Sequence, residues 1–417
     1  MEQTLTAASP RQRLPLTGLL AANAISLLGS ALTAVALPWF VLQTTGSASR
    51  TGLTAAAAVL PAFAAGVFGG VLVDRAGFKR VSVAADLVSG IAIASIPLLY
   101  QTVGLAFWQI LVLVLLGALL EVPGLTARRS LLPDLASAAQ WRLERANSAF
   151  ESTNFLALLL GPPLAGLLIA ALGAANVLWL DAATFALSAI LVGAAVFAPP
   201  PRQRSASSRS YRADLVAGLR FLRADRLLLV LALSLTASNC LLGPFVAVLL
   251  PVYARQTTGR ATTFGFALAA LGAGPLAGAL AYGAIGHRLP RRATWLAAFL
   301  IAPGELWLLL ISPPFPVLLL ALALLGVFSG PINPLLVTIR HERIPEVLRG
   351  RVFSTFSALA IGAQPLGLLL AGTLIDVAGF RPTILLLAAT AQTLGLLLVF
   401  VPTLHGMDAT KPTPVAT

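Results

Sequence analysis

Cysteine occurs once in the 417 residues, at Cys240, which excludes any disulfide within the chain. Lysine stands only at Lys79 and Lys411, and the G-x-x-x-x-G-K-[ST] phosphate loop is missing, so direct use of ATP is not expected. The three histidines, His287, His341 and His405, are scattered too widely to form a metal-ligand cluster, and no nucleophile motif accompanies them. The chain is therefore not expected to be an enzyme, and neither a metal nor an organic cofactor is expected. Charge is the other scarcity. Charged residues make up 10% of the chain, against about 25% in an ordinary soluble domain, which excludes a soluble fold.

What fills the chain is apolar: 58% of the residues are hydrophobic. No charge lies between Arg13 and Arg50, Arg50 and Asp74, Arg226 and Arg255, or Arg351 and Asp376. A spanning helix needs about 20 mainly apolar residues. Twelve such spans are expected, at 14–42, 50–73, 80–100, 105–127, 146–171, 175–197, 227–253, 261–285, 293–312, 316–338, 350–375 and 381–402. The alternation of a membrane β-barrel is absent. The first apolar run is too long for a cleavable signal, so it is expected to stay as a span.

The net charge of +13 would point to nucleic acid in a soluble protein, but its placement points elsewhere. With the N-terminus inside, the outer loops hold only Arg50, Arg255, Arg260 and Arg381, and the other 24 of the 28 bases fall in inner segments. This is the positive-inside pattern, which places both termini in the cytoplasm of a bacterial cell and the chain in its inner membrane. The basic residues set topology and, secondarily, meet lipid headgroups. No nucleic-acid partner is expected; the bilayer and a small-molecule substrate are, with the protein a monomer.

The sequence also repeats. Leu37-Pro38 and Gln43-Thr44-Thr45-Gly46 return as Leu250-Pro251 and Gln256-Thr257-Thr258-Gly259, an offset of 213. Arg80, Arg128 and Pro133-Asp134 return as Arg292, Arg340 and Pro345-Glu346, an offset of 212. Gly161, Gly166 and Gly173 return as Gly367, Gly372 and Gly379, an offset of 206. Offsets this constant imply two six-helix halves of one origin. The expected organisation is a bundle over 1–198, a linker over 199–226, a second bundle over 227–402 and a tail over 403–417. The linker ends in an amphipathic segment, Asp214 to Arg223, expected at the inner membrane surface.

One loop is more specific than the rest. Gly70-Val71-Leu72-Val73-Asp74-Arg75-Ala76-Gly77-Phe78-Lys79-Arg80 resembles the loop between the second and third helices of the major facilitator superfamily, G-x-x-x-D-R-x-G-x-[KR]-[KR]. Leu131-Leu132-Pro133-Asp134, Arg145-Ala146-Asn147-Ser148 and Arg349-Gly350-Arg351-Val352 resemble its branch of enterobactin exporters and macrolide efflux pumps. Gly161-Pro162-Pro163-Leu164-Ala165-Gly166 resembles the helix-five segment of antiporters, although ordinary close packing would explain the same residues.

The resemblance implies an all-α membrane protein of twelve transmembrane helices in two pseudo-symmetric bundles, working by alternating access. It gives Asp74 and Arg75 the role of a cytoplasmic gate. A carboxylate there can dock on the positive N-terminus of helix eleven, with Gly70, Gly77 and Arg80 shaping the loop and Arg128 a partner. A solvated charge that only sets topology is the plainer reading. The equivalent of Asp74 in the second half is Gly286, so such a gate would be one-sided.

Charge is costly in a bilayer, so acids inside spans are the candidates for coupling and substrate contact: Glu121, Glu151, Asp86 and Glu305. Asp181 reads as a cap or hydrated group near an outer helix end. Glu121 and Glu151 each lie roughly 8 Å from the inner end of their helix at 1.5 Å per residue, and are expected to share a polar chamber near Arg128. An apolar setting favours the neutral carboxylic acid, which suits reversible protonation. The alternative is structural pairing with Arg128, Arg129 or Arg145. Asn23, Trp39, Asn154, Asn239, Phe328, Asn333 and Gln364 are candidate cavity groups, although such polar groups more often bond helix to helix. So few fixed polar groups fit an amphiphilic cargo better than a sugar. The expected function is proton-coupled export of an amphiphilic organic solute or drug, with protons as the coupling ion. An importer or uniporter, or a non-transporting receptor on the same fold, are the rivals.

Overall fold

The computed structural model describes residues 10–197 and 211–408, side chains excepted at 10–11, 62–75, 211–214 and 347. Helix one is Pro10–Thr45, helix two Ala48–Ala76 and helix three Phe78–Gln101. Helix four comes in two pieces, Phe107–Leu119 and Glu121–Ala138, followed by helix five, Leu143–Leu172, and helix six, Ala174–Ala195. A connecting helix, Tyr211–Ala224, leads into helix seven, Arg226–Pro244, which continues through a π turn into Leu250–Thr257. Helix eight is Ala261–Ile285, helix nine Arg291–Ile301 and Gly304–Ile311, and helix ten Phe315–Ser329 and Ile332–Arg343. Helix eleven is Arg349–Gly362 and Gln364–Ala378, and helix twelve Phe380–Val399. No strand occurs among the described residues. Eleven of these stretches are long and apolar enough to cross a membrane, counted among the described residues; helix two is a further long helix. The protein is a multi-pass membrane protein.

The breaks have a common cause. Pro123, Pro251, Pro303, Pro331 and Pro365 lie at or just past the interruptions of helices four, seven, nine, ten and eleven. Each removes an N–H and orphans a carbonyl one turn back. In a bilayer a carbonyl left without an N–H needs a partner from the protein, and within two turns before three of these prolines neighbouring helices donate to carbonyls of the interrupted helix. Ser89 of helix three donates to Gly117 O at 2.7 Å, and Gln392 of helix twelve to Leu300 O at 3.2 Å. Thr236 and Asn239 of helix seven donate to Leu359 O and Ala360 O at 2.9 and 3.0 Å.

The repeat is visible in the backbone. Gly46 and Gly259, the last residues of the two Q-T-T-G tetrapeptides, both take positive φ, 70° and 66°. Gly173 and Gly379, which open helices six and twelve, take 86° and 92°. L side chains disfavour these angles, so the same glycine-dependent turn serves both halves.

The chain forms two compact units, Met1–Phe40 with Ala57–Ala206 and Val41–Ala56 with Ser207–Thr417. In the first, helix three packs along helices six and four, and Leu16, Leu19, Leu131, Leu135, Phe150 and Val192 form the core. A Cβ at Gly161 would collide with Ala31, so helices one and five touch closely there. In the second, helix eight packs along helix ten. Cβ atoms at Gly274 and Gly278 would strike the carbonyls of Ala323 and Val327. The core beside them holds Leu228, Leu231, Trp295, Ile339, Phe356 and Leu398. The connecting helix is amphipathic as expected: Leu222 is fully buried against the second unit, while Arg220 and Arg223 are exposed.

Candidate functional site

The first unit encloses a charged network. Arg128, on the second piece of helix four, is 5% exposed and pairs with Asp86 of helix three, which is 3% exposed. Arg128 also donates to Ser82 and Ser188 at 3.2 Å, to Ser26 at 3.4 Å and to Asn23 at 3.5 Å. Ser188 donates to the second oxygen of Asp86 at 2.7 Å, and Asn23 donates to Thr153 at 2.7 Å. Five helices are thereby tied to one guanidinium, and both ions are compensated. Buried networks satisfied in this way fix a single arrangement and are costly to break from one side. Sequence reading placed Arg128 at the gate beside Asp74; the structure gives it Asp86 as its carboxylate partner, inside the bundle. Asn23, expected in a cavity, is 0% exposed and belongs to this network.

A second carboxylate lies in the same unit without a counter-ion. Asp181 of helix six is 1% exposed. It accepts from Thr33 of helix one and, at 3.1 Å, from Thr184. A Cβ at Gly29 would collide with both Asp181 and Thr184, so helix one approaches them through a residue with no side chain. No cation pairs with Asp181 among the described residues. Glu121 stands at the break of helix four and has no hydrogen-bond or ion-pair partner among the described residues. Asp181 was not among the sequence-derived candidates. Its signal was a polar stripe in apolar helices, Gly29 and Thr33 four apart and Asp181 and Thr184 three apart, each set on one helix face.

The remaining acids divide further. Glu151 pairs with Arg129 at 3.0 Å with about half of each side chain exposed, and accepts from Asn154 at 3.2 Å. Arg129 therefore holds Glu151, and no contact joins Glu151 to Glu121 among the described residues. Glu305 opens the second piece of helix nine, half-buried and without a partner among the described residues. Of the other candidates, Trp39 is packed in the core at 7% exposure and Phe328 is exposed at 44%. Asn239 spends its amide on Ala360 O. Asn333 is exposed, and Gln364 packs against Gly243. Gly161, Pro162 and Gly166 are all buried in helix five.

At the gate loop, the backbone is helical through Ala76, three residues beyond the expected end of the span. Gly77 makes the turn with φ of 83°, and Arg80 is exposed. The side chains at Gly70, Asp74 and Arg75 lie outside the described residues.

A site that sequence reading missed lies in the second unit. Asp376, near the end of helix eleven, accepts from Ser47 Oγ at 2.6 Å and from the backbone N–H groups of Ala48 and Ser49 at 2.9 Å each. These are the first N–H groups of helix two, so Asp376 caps that helix from 328 residues away. Arg255 of helix seven donates to Leu42 O beside it. Cβ atoms at Gly52 and Gly372 would strike the backbones of Leu368 and Ala48, which places helices two and eleven in direct contact.

Comparison with known proteins covers the whole of this architecture. The family model of the Major Facilitator Superfamily matches residues 19–259 and 245–416. The multidrug efflux pump Tap of Mycolicibacterium fortuitum is 37% identical over 390 residues, 92% of this chain and 95% of that protein. The enterobactin exporter EntS of Escherichia coli is 29% identical over 354 residues, 85% of this chain and 83% of that protein. Among solved structures, a variant of the nucleoside transporter NupG superposes with a TM-score of 0.78 at 12% identity, covering 92% of this chain and 99% of that one. That likeness is one of fold.

Proposed function

The chain belongs to the major facilitator superfamily, and from that premise we propose that it exports an amphiphilic organic solute or drug in exchange for protons. The observation that carries this reading is full-length similarity to efflux pumps, 37% identity over 92% of the chain. The distribution of bases supports a bacterial inner membrane with both termini in the cytoplasm.

For the proton we choose among the acids by their surroundings. Asp86 has Arg128 and Glu151 has Arg129 as an ion-pair partner, so each carboxylate is already committed. Asp181 is enclosed with hydroxyls, and Glu121 stands at the break of helix four with no ion-pair partner among the described residues. Neither carboxyl is committed to a cation among the described residues. We assign Asp181 and Glu121 as the proton-carrying pair. Glu305 has no comparable hydroxyl partners.

The test uses everted membrane vesicles, where export appears as uptake, with ethidium as an amphiphilic probe. Energised vesicles bearing the protein should accumulate ethidium, and a protonophore should abolish the accumulation. Asp181→Asn should remove gradient-driven uptake while leaving ethidium exchange across de-energised membranes. Accumulation indifferent to the protonophore, or movement in the opposite sense, would reject proton-coupled export in favour of a uniporter or an importer.

A further inference from the structure

The second half keeps an arginine whose counterpart's carboxylate partner is gone. At the offset of 212, Arg128 corresponds to Arg340, and its carboxylate partner Asp86 to Ala298. At the offset of 206, Ser188 corresponds to Leu394. Arg340 therefore stands in the last turn of helix ten with no carboxylate where its twin has one.

What it has instead is aromatic. Its guanidinium lies over the rings of Phe353 and Phe356, at 4.6 and 5.1 Å from their centroids. Phe353 is itself braced edge-on by His341 at 5.1 Å. Cation–π contact steadies the plane of a guanidinium but uses none of its five N–H donors. No hydrogen bond or ion pair to Arg340 occurs among the described residues, and its Nε is buried without an acceptor.

Among the described residues, the acids near it on helices seven, ten and eleven are already paired. Asp225 pairs with Arg343 at 3.1 Å, Glu342 with Arg291 at 2.6 Å and Glu346 with Arg349 at 3.3 Å. Glu305 has no partner, but it lies about 20 Å along helix nine from Arg291, the end that meets helix ten. The arrangement is a planar, oriented cation on a shelf of two rings, with donors that have no partner and nearby carboxylates that are paired elsewhere, among the described residues.

We propose that Arg340 is the receptor for an external oxyanion, either a carboxylate of the cargo or the phosphate of a lipid headgroup. The forked donors match either group in bidentate fashion. The cargo source rests on the export reading above. Binding can be read without transport, so the two ideas fail separately.

The test is a thermal-unfolding titration of the purified full chain in a neutral maltoside detergent. The probes are salicylate, as an aromatic carboxylate, and dihexanoyl phosphatidylglycerol below its micellar concentration. Salicylamide and sodium chloride at matched ionic strength are the controls. The wild type should show a saturable rise in melting temperature with at least one probe and with neither control. Response to salicylate alone identifies cargo, and response to the phosphatidylglycerol alone identifies lipid. Arg340→Gln should raise the half-saturating concentration at least tenfold, and Phe356→Leu, which keeps the charge and removes one shelf, severalfold. A wild type that gives no saturable response overturns the proposal, as does an Arg340→Gln protein that saturates at the same concentration. If Arg340→Gln does not fold, an unchanged Phe356→Leu titration overturns it equally.

Discussion

Replacing Asp86 by Asn should cost stability far more than it alters transport chemistry. Asparagine preserves the volume of the side chain but removes the charge that compensates Arg128, which is 5% exposed and has no other acid among its partners in the described residues. Arginine cannot shed its proton to escape. Breaking a buried pair from one side costs about 3–5 kcal/mol. At roughly 2–4 °C per kcal/mol for a unit of this size, the melting temperature should fall by about 6–20 °C. The serines and Asn23 would still solvate the guanidinium in part, which favours the lower half of that range. The double variant Asp86→Leu with Arg128→Met removes both charges at similar volume and should recover at least half of the loss, because an apolar replacement of a whole buried pair is often neutral. Fluorescence-detected size exclusion after heating, on detergent-solubilised protein, reads all three forms. An Asp86→Asn protein that melts with the wild type, or a double variant no better than the single, would refute the reasoning. Full stability with lost transport would move the pair from scaffold to mechanism.

Three further outcomes follow from particular contacts. Asp181→Asn should uncouple ethidium movement from the proton gradient, and Thr33→Val, which removes one hydroxyl from the carboxylate, should weaken that coupling less; vesicle uptake with and without protonophore distinguishes them. Asp376→Ala should weaken the cap on helix two by about 0.5–2 kcal/mol, seen as faster maleimide labelling of Ser49→Cys in a Cys240→Ser background; equal labelling rates would deny the cap any role. Gly278→Ala places a methyl against the Val327 carbonyl and should destabilise by about 1–3 kcal/mol, whereas Gly283→Ala, where a Cβ meets nothing within 4 Å, should melt with the wild type.

Much of the fold was legible because it is written in local terms. Apolar length set the spans, and the two Q-T-T-G tetrapeptides marked turns whose glycines do take the same left-handed angle. The small residues Gly274 and Gly278 in an apolar helix mark a close approach, and helix ten does pass against them. The candidate site was less legible because its contacts are between helices. Whether Arg128 meets Asp74, Glu121 or Asp86 depends on which helix faces it, and nothing local distinguishes a partner 42 residues away. Asp181 looked like an end cap because its hydroxyl partner Thr33 is 148 residues distant. Asp376 gave no sign at all, since the N–H groups it serves begin a helix in the other half of the sequence. Asn239 had the right helix for a cavity group, but the carbonyl it satisfies arises from a break in helix eleven.

The proline breaks carry a mechanical consequence. An interrupted helix is a joint, and an unattended joint bends independently of its surroundings. Here three of the joints are sewn to a neighbour, helix four by Ser89, helix nine by Gln392 and helix eleven by Thr236 and Asn239. Flexing any one of them must either drag the sewing helix along or expose a bare carbonyl to hydrocarbon. Deformation in each unit is thereby channelled into paired helices moving as levers, and the stitching side chains set the stiffness of that motion without touching anything that is carried.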